Sequence, residues 1–495
     1  MTADLALELP TQHAEARYGL GGSPGEAIAV VGLLPLLLSV AIWNGFPIVY
    51  YDTGAYLLEG IGGHFLVERS PVYSLFLRVA GAGTSLWLVV VIQALATAFV
   101  MVQAARCLLP ALSLRLFLTI SAGVGALTGI AWYVGEVEPD CFAAVLVLAL
   151  FLLAFHAGSL GRTRSAILLC VASVAIAAHP SHLVLAAALG MLLTIYVGVA
   201  TLSRSWRSRN LRFQPHIVNF RWPRANLCYP ASALVMALVL VLAGNYSFTG
   251  RIFISRAGPN FLFARLLQDG IVMRLLEDTC PAAGYRLCAY KDDLPPRADA
   301  WLWARYSPFF KLGGFSGTRE ESEQIVLDSL RRYPLLNLQA AIADGARQFI
   351  SFKTGDQIEP QQWALHSTFS AFTPDQVHAY LVARQQEGRL RFGFLNLVHV
   401  PVGYVSLVGL VGLFGYAVWR RQRQAAVFTA FVFVALLANA FICGAISNPH
   451  DRYQSRVIWL APFAILIGGL RLASPELAQP RCAVSLERAA AAPTA

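Results

Sequence analysis

Charge is what this sequence has least of. Asp, Glu, Lys and Arg together make up 13% of its 495 residues, against about 25% in ordinary soluble domains. Lysine is nearly missing, confined to Lys291, Lys311 and Lys353, so almost all the positive charge is arginine. Sustained alternation of apolar and polar residues is absent, which argues against barrel strands. No CxxC zinc spacing occurs, no internal repeat is visible, and low complexity is confined to the Ala-rich tail after Arg488. The mixed, polar first two dozen residues show neither a basic leader nor a cleavage site. The first apolar run is therefore expected to be a retained helix rather than a removable signal.

What fills the chain instead is hydrocarbon: 57% of the residues are hydrophobic and the mean hydropathy is +0.57. The apolar runs are long enough for helices rather than strands. The expectation is an all-α, polytopic membrane protein with about ten spans, running approximately 27–48, 86–105, 116–134, 141–155, 166–178, 183–202, 228–243, 397–419, 425–446 and 457–470. Several are shorter than the roughly 20 residues of a straight span, and the fifth and sixth read equally as one re-entrant hairpin. Four regions result: 1–245, an N-terminal membrane module; 246–395, an extracytoplasmic and mainly helical domain between the seventh and eighth spans; 396–472, C-terminal membrane helices; and 473–495, a cytoplasmic tail.

Orientation follows from arginine, which is enriched in cytoplasmic loops. With both termini inside, Arg106, Arg115, Arg162, Arg164, Arg420, Arg421 and Arg423 fall inside. So does the acid-free block from Ser203 to Asn226, which suits anionic headgroups or a simple topology signal. The formal charge of +10 thus points to membrane lipids and not to nucleic acid. The same parity collects five polar segments on the outer face: the loop after the first span, Gly135–Asp140, His179–His182, residues 246–395, and Asn448–Arg456. A plasma (inner) membrane of bacterial type is the expected location.

Within the outer segment, Arg256 to Glu277 reads as an amphipathic helix suited to the membrane surface. Thr318-Arg319-Glu320-Glu321 fits a capping box, and Thr373-Pro374-Asp375-Gln376 fits a helix start with Gly388 as its stop. Cys280 and Cys288 are the two outer cysteines. A disulfide between them suits an oxidising compartment, two buried thiols being the other reading.

Four clusters suit chemistry. Asp52, in Tyr50-Tyr51-Asp52-Thr53-Gly54-Ala55-Tyr56, reads equally as a general base or a helix N-cap. Glu136, Glu138 and Asp140 lie within five positions, suiting a divalent cation, a solvated turn, or a cap by Asp140. His179 and His182 flank a Pro-Ser turn; His182 has the chemistry to bond a sugar or phosphate. His450-Asp451-Arg452-Tyr453 with Arg456 places two arginines against the positive-inside trend, as a phosphate ligand would require; an Asp451–Arg456 ion pair beside headgroups is the alternative.

The first-loop Asp52 with Tyr56, followed by Arg69-Ser70-Pro71-Val72-Tyr73, resembles the first outer loop of the GT-C superfamily of polytopic membrane glycosyltransferases, of the aminoarabinose-transferase and protein-mannosyltransferase kind. The resemblance extends to the acidic second loop, the His-x-x-His turn and the arginine-bearing last outer loop. It departs where several families carry an acidic pair, here Asp52-Thr53. It implies inverting transfer of a sugar from a polyprenyl-phosphate donor to an envelope acceptor. Asp52 is then the base, and Glu138 and Asp140 place the acceptor or a divalent cation. Arg69, Arg256, Arg452 and Arg456 bind the donor phosphate, with Tyr56, His182 and His450 as further site residues. No cofactor beyond a divalent cation is implied. A lipid-linked saccharide transporter or flippase would instead show charges within several spans and internal symmetry, and a non-catalytic envelope protein would use these residues only for folding.

Overall fold

The computed structural model describes residues 23–209 and 224–479. The first 22 residues, most of the arginine block 203–226, and the tail after Gln479 lie outside the described residues. In chain order the main helices are α1 (Pro24–Asn44), α2 (Tyr51–Gly60), α3 (Pro71–Val79), α4 (Leu86–Leu108), α5 (Leu114–Leu127), α6 (Cys141–Phe155), α7 (Arg162–Ala177), α8 (Pro180–Arg209), α9 (Cys228–Thr249), α10 (Gly258–Gln268), α11 (Ile271–Thr279), α12 (Gly314–Arg332), α13 (Pro334–Phe349), α14 (Gln362–Phe372), α15 (Phe392–Trp419), α16 (Arg423–Ile446) and α17 (Asp451–Ala473). Among the described residues there is no strand, only an isolated bridge between Ile48 and Glu136.

Among the described residues, seven helices are long and apolar enough to cross a membrane: α1, α4, the Pro180–Leu202 part of α8, α9, α15, α16 and α17. The molecule is a membrane-embedded, all-α protein. At its centre stands α6, buried on every side from Cys141 to Ala154. A helix that is apolar all round belongs inside a helix bundle, and α4, α7, α8, α9, α16 and α17 surround it.

Three expected elements take a different form. The run 116–134 breaks at Thr128, which is extended, and resumes as a short helix, Ile130–Val134. Gly129 sits at the break because Thr354 approaches it: a Cβ there would lie 2.9 Å from the Thr354 hydroxyl. The helix expected over 256–277 is two helices, α10 and α11, divided at Gly270, whose φ is +75°. Its apolar residues do not rest on a membrane surface; Phe263, Leu266, Leu267, Ile271, Val272 and Leu275 form a buried core with Trp301, Phe309 and Ile325. Finally, the last outer loop ends at His450, because α17 is already helical at Asp451.

Local starts and stops shift too. Thr318 does not cap a helix. It lies inside α12, where its hydroxyl donates to Gly314 O at 2.8 Å. The helix opening at Pro374 ends at Leu381, and Gly388 (φ +68°) closes a later turn. Cys280 and Cys288 are joined as a disulfide.

The two ends of the bundle differ in chemistry. At one end Glu26 accepts three bonds from Arg164 (3.2, 2.9 and 2.7 Å) and one each from Arg106 (3.1 Å) and Gln103 (2.6 Å). All of these come from segments that arginine parity placed inside. The five segments it placed outside meet at the opposite end.

Candidate active site

The site starts from backbone. Ile48 donates to Gly135 O and accepts from Val137 N, each at 2.9 Å, which stitches the first outer loop to the second. Thr53 Oγ1 donates to Val137 O (3.1 Å) and lies 3.3 Å from Glu138 Oε1, while accepting from Tyr50 N at 2.9 Å. Tyr50, not Asp52, is thus the residue preceding α2 that Thr53 ties down. Asp52 falls in the first turn of α2 and is free to face sideways, where Arg69 Nη2 bonds its Oδ1 at 2.5 Å.

The second centre is Asp140, at the N-terminal end of α6. Its carboxylate makes no capping bond. Instead Oδ1 accepts from Arg456 Nη1 at 2.7 Å and Oδ2 lies 3.4 Å from Arg452 Nε. Arg452 and Arg456 are one turn apart on α17, so both reach inward; Arg456 is 0% exposed. A buried guanidinium needs such a partner, because its unpaired charge would cost several kcal/mol. Arg456 Nη2 also bonds Ser181 Oγ at 3.2 Å, and Ser181 Oγ lies 2.8 Å from His179 Nδ1. The Asp451–Arg456 pair does not form; Asp451 instead accepts from Lys353 N at 2.8 Å.

The two centres are one cluster. The Tyr50 ring lies 4.2 Å under the Arg452 guanidinium and the Tyr453 ring lies 5.3 Å from both Arg452 and Arg456. Tyr56 is buried between them, edge-on to Tyr73. Burial, helped by the neighbouring Asp140, drives the Glu136 carboxyl well above the usual carboxylate range; burial and the Asp52 charge do the same to Glu138. For Asp140 burial also acts upward, but Arg452 and Arg456 outweigh it and hold it below its ordinary value. Environments that push neighbouring carboxyls apart in this way separate proton donors from fixed anions. Three guanidinium groups, of Arg69, Arg452 and Arg456, then face two ion-paired carboxylates, of Asp52 and Asp140. Arg69 Nε, Arg452 Nη1, Arg456 Nε and both Glu136 carboxyl oxygens are buried without a partner in the protein. Buried polar atoms are ordinarily satisfied, so this unfilled set makes the cluster the candidate site.

A strap from the outer segment, 351–361, crosses this cluster. The Tyr50 hydroxyl donates to Gln357 Oε1, and Tyr51 Oη to Glu359 Oε1 at 2.8 Å. Asp356 accepts from Arg452 N at 3.3 Å. His450 sits between Asp356 and Asp299, 3.4 Å from each. Burial works against its charge, but these two carboxylates outweigh it and lift its pKa to about 9.

Of the residues expected from sequence, Asp52, Arg69, Tyr56, Glu138, Asp140, Arg452 and Arg456 come together, with His450 at the rim. His182 is close by, its Nδ1 2.9 Å from Ala175 O and its Nε2 buried without a partner. Arg256 stands apart, stacked 4.2 Å over the Phe253 ring. The acids do not form a cation cage: among the described residues no three His, Cys, Asp or Glu side chains converge as metal ligands, and Asp140 is already claimed by arginines. Sequence reading passed over Tyr50, Thr53, Gln357 and Asp356. Tyr50 carried a readable signal, an aromatic ring beside the loop Asp; Asp356 and Gln357 lie far away in the chain and carried none. No family model matches the chain, and neither the curated proteins nor the solved structures give a match.

Proposed function

We propose that the protein is a GT-C-like glycosyltransferase of the membrane, moving a sugar from a polyprenyl-phosphate donor to an envelope acceptor. The observation that carries this reading is the meeting of Asp52, Glu138 and Asp140 with Arg69, Arg452 and Arg456, from segments hundreds of residues apart, at one end of an apolar bundle. A lipid phosphate needs cationic donors beside hydrocarbon; the arginines supply bidentate, charge-assisted bonds. Asp52 is the base for the acceptor hydroxyl. In the structure Arg69 occupies it, so donor phosphate that draws Arg69 away also frees the carboxylate. The fuller architecture proposed is ten crossings, with α5, α6 and α7 completing the seven long helices. Both termini are cytoplasmic, and 246–395 lies on the outer face of a bacterial-type inner membrane.

Asp52→Asn keeps the shape and removes the base. In proteoliposomes carrying polyprenyl-phosphate sugars, it is expected to abolish transfer while leaving folding and lipid-phosphate binding intact. Unaltered turnover would refute the role of Asp52. Transbilayer movement of the donor without product would favour a flippase instead.

A further inference from the structure

Helix α13 is built inside out. Its fully buried side chains are polar, Asn337, Asp344 and Gln348, while Leu336, Ala340 and Phe349 pack half-buried beside them. The side chains it turns outward are mainly apolar: Leu335 is 72% exposed, Leu338 53%, Ile342 55% and Ile350, just past its end, 53%, with Gln339 and Arg347 the exposed polar ones. A helix on a water-facing domain places its apolar stripe inward, and unpaired polar groups are costly to bury. The opposite arrangement is stable where the surrounding solvent is itself hydrocarbon.

Position agrees with pattern. α13 packs antiparallel along the site end of α16, a membrane-length helix. Gly345 lies against Phe441, Gly444 against the Asp344 backbone, and the Phe349 and Phe433 rings are 6.1 Å apart. Small residues that let backbones approach this closely are typical of helix contacts in membranes. The outward face of α16 beside it, at Leu437, Phe441 and Ile446, is likewise exposed and apolar. The stripe therefore continues the surface of the spans.

The end of α13 is also prepared for a dry environment. Arg347 O accepts from Ser351 Oγ (2.8 Å), Gln348 O from Ser351 N (3.2 Å), and Ile350 O from Tyr404 Oη (3.1 Å), which projects from within α15. Backbone at membrane depth must be satisfied by the protein in this way. Arg347 is the only exposed charge on α13. It is paired with Asp344 at 3.2 Å, and its long stem can carry the charged head toward the interface.

We propose that α13, although it belongs to the outer segment, is seated in the leaflet at the site end, with Leu335, Leu338, Ile342 and Ile350 against lipid acyl chains. This does not rest on glycosyl transfer. The chain leaves α13 directly into the strap 351–361, so the leaflet holds the element that anchors the strap over the Arg452 cluster.

The test uses the full chain in phosphatidylcholine proteoliposomes, with Cys170, Cys228 and Cys482 replaced by serine. An environment-sensitive fluorophore is placed at Leu338→Cys, at Ile342→Cys and, as a water-facing control in the same outer segment, at Arg297→Cys. The expected result at 338 and 342 is blue-shifted emission, loss of signal to doxyl-labelled lipid, and much less iodide quenching than at 297. Iodide quenching equal to the control, or no quenching by doxyl lipid, at both positions overturns the proposal. The second outcome would mean that another protein surface, such as a second copy of the chain, covers the stripe.

Discussion

Arg456 is tolerable in the interior only because Asp140 is 2.7 Å away. Removing Arg456 still leaves Asp140 beside Arg452, at 3.4 Å, but removing Asp140 strips both buried arginines of their carboxylate. Asp140→Ala is therefore expected to lower the unfolding free energy in detergent by about 3–5 kcal/mol. Glu136 gives the contrast. Its carboxyl is just as buried, but burial and the adjacent Asp140 push it well above the usual carboxylate range; with the neutral form favoured, Glu136→Gln is a replacement of similar shape and charge. Its expected effect is within about 0.5 kcal/mol, as for a substitution that breaks none of the destabilising rules. A large loss for Glu136→Gln, measured by the same unfolding curve, would show that the carboxyl is ionised. This division was only half legible in the sequence. The spacing of Glu136, Glu138 and Asp140 marked a polar cluster, but which acid meets arginine depends on the bridge at Ile48 and on the pitch of α17, and neither is written in local spacing.

At the scale of elements, His450 ties three of them together: the start of α17, the short helix bearing Asp299, and the strap bearing Asp356. Its pKa of about 9 in the folded protein lies above the ordinary 6.5. The folded state thus holds the proton more tightly, and the contribution to stability is complete below about pH 6.5 and lost as pH rises through about 9. Thermal unfolding of the wild type should weaken across that window, and His450→Gln should flatten this part of the profile. A wild-type profile that does not change between pH 6.5 and 9.5 would contradict the bridge. Helix positions over the apolar runs followed from composition, because a span needs only length and hydrophobicity. Helix ends in the outer segment did not. Gly270 breaks a run whose apolar pattern continues across it, and Thr318 carries a capping signature inside an unbroken helix; Thr128 breaks the membrane run 116–134 in the same way as Gly270. The fate of α13 was hidden for a related reason: periodicity reveals an apolar face but not whether that face meets core or lipid.

For the whole molecule, arginine parity divided the polar segments into two sets before any contact was known, and the contacts keep the sets apart. Glu26, Arg106 and Arg164 meet at one end; Asp52, Asp140, Ser181 and Arg456 meet at the other. Labelling with a membrane-impermeant maleimide in intact cells should therefore discriminate. Arg297→Cys is expected to react from outside, and Arg162→Cys only after permeabilisation. Reaction of both from the same side would break the proposed topology. In the proposed function the three-guanidinium cluster joins positive charge to a membrane-embedded bundle.

That conjunction is most directly measured as binding of polyprenyl phosphate compared with the uncharged polyprenol, by the purified full chain in lipid nanodiscs. The phosphate form is expected to bind and the alcohol to bind far more weakly. Arg452→Gln, which keeps a hydrogen-bonding side chain and removes the charge, is expected to erase the difference. Equal binding of the two lipids by the wild type, or a preference untouched in Arg452→Gln and in Arg69→Gln alike, would contradict the account.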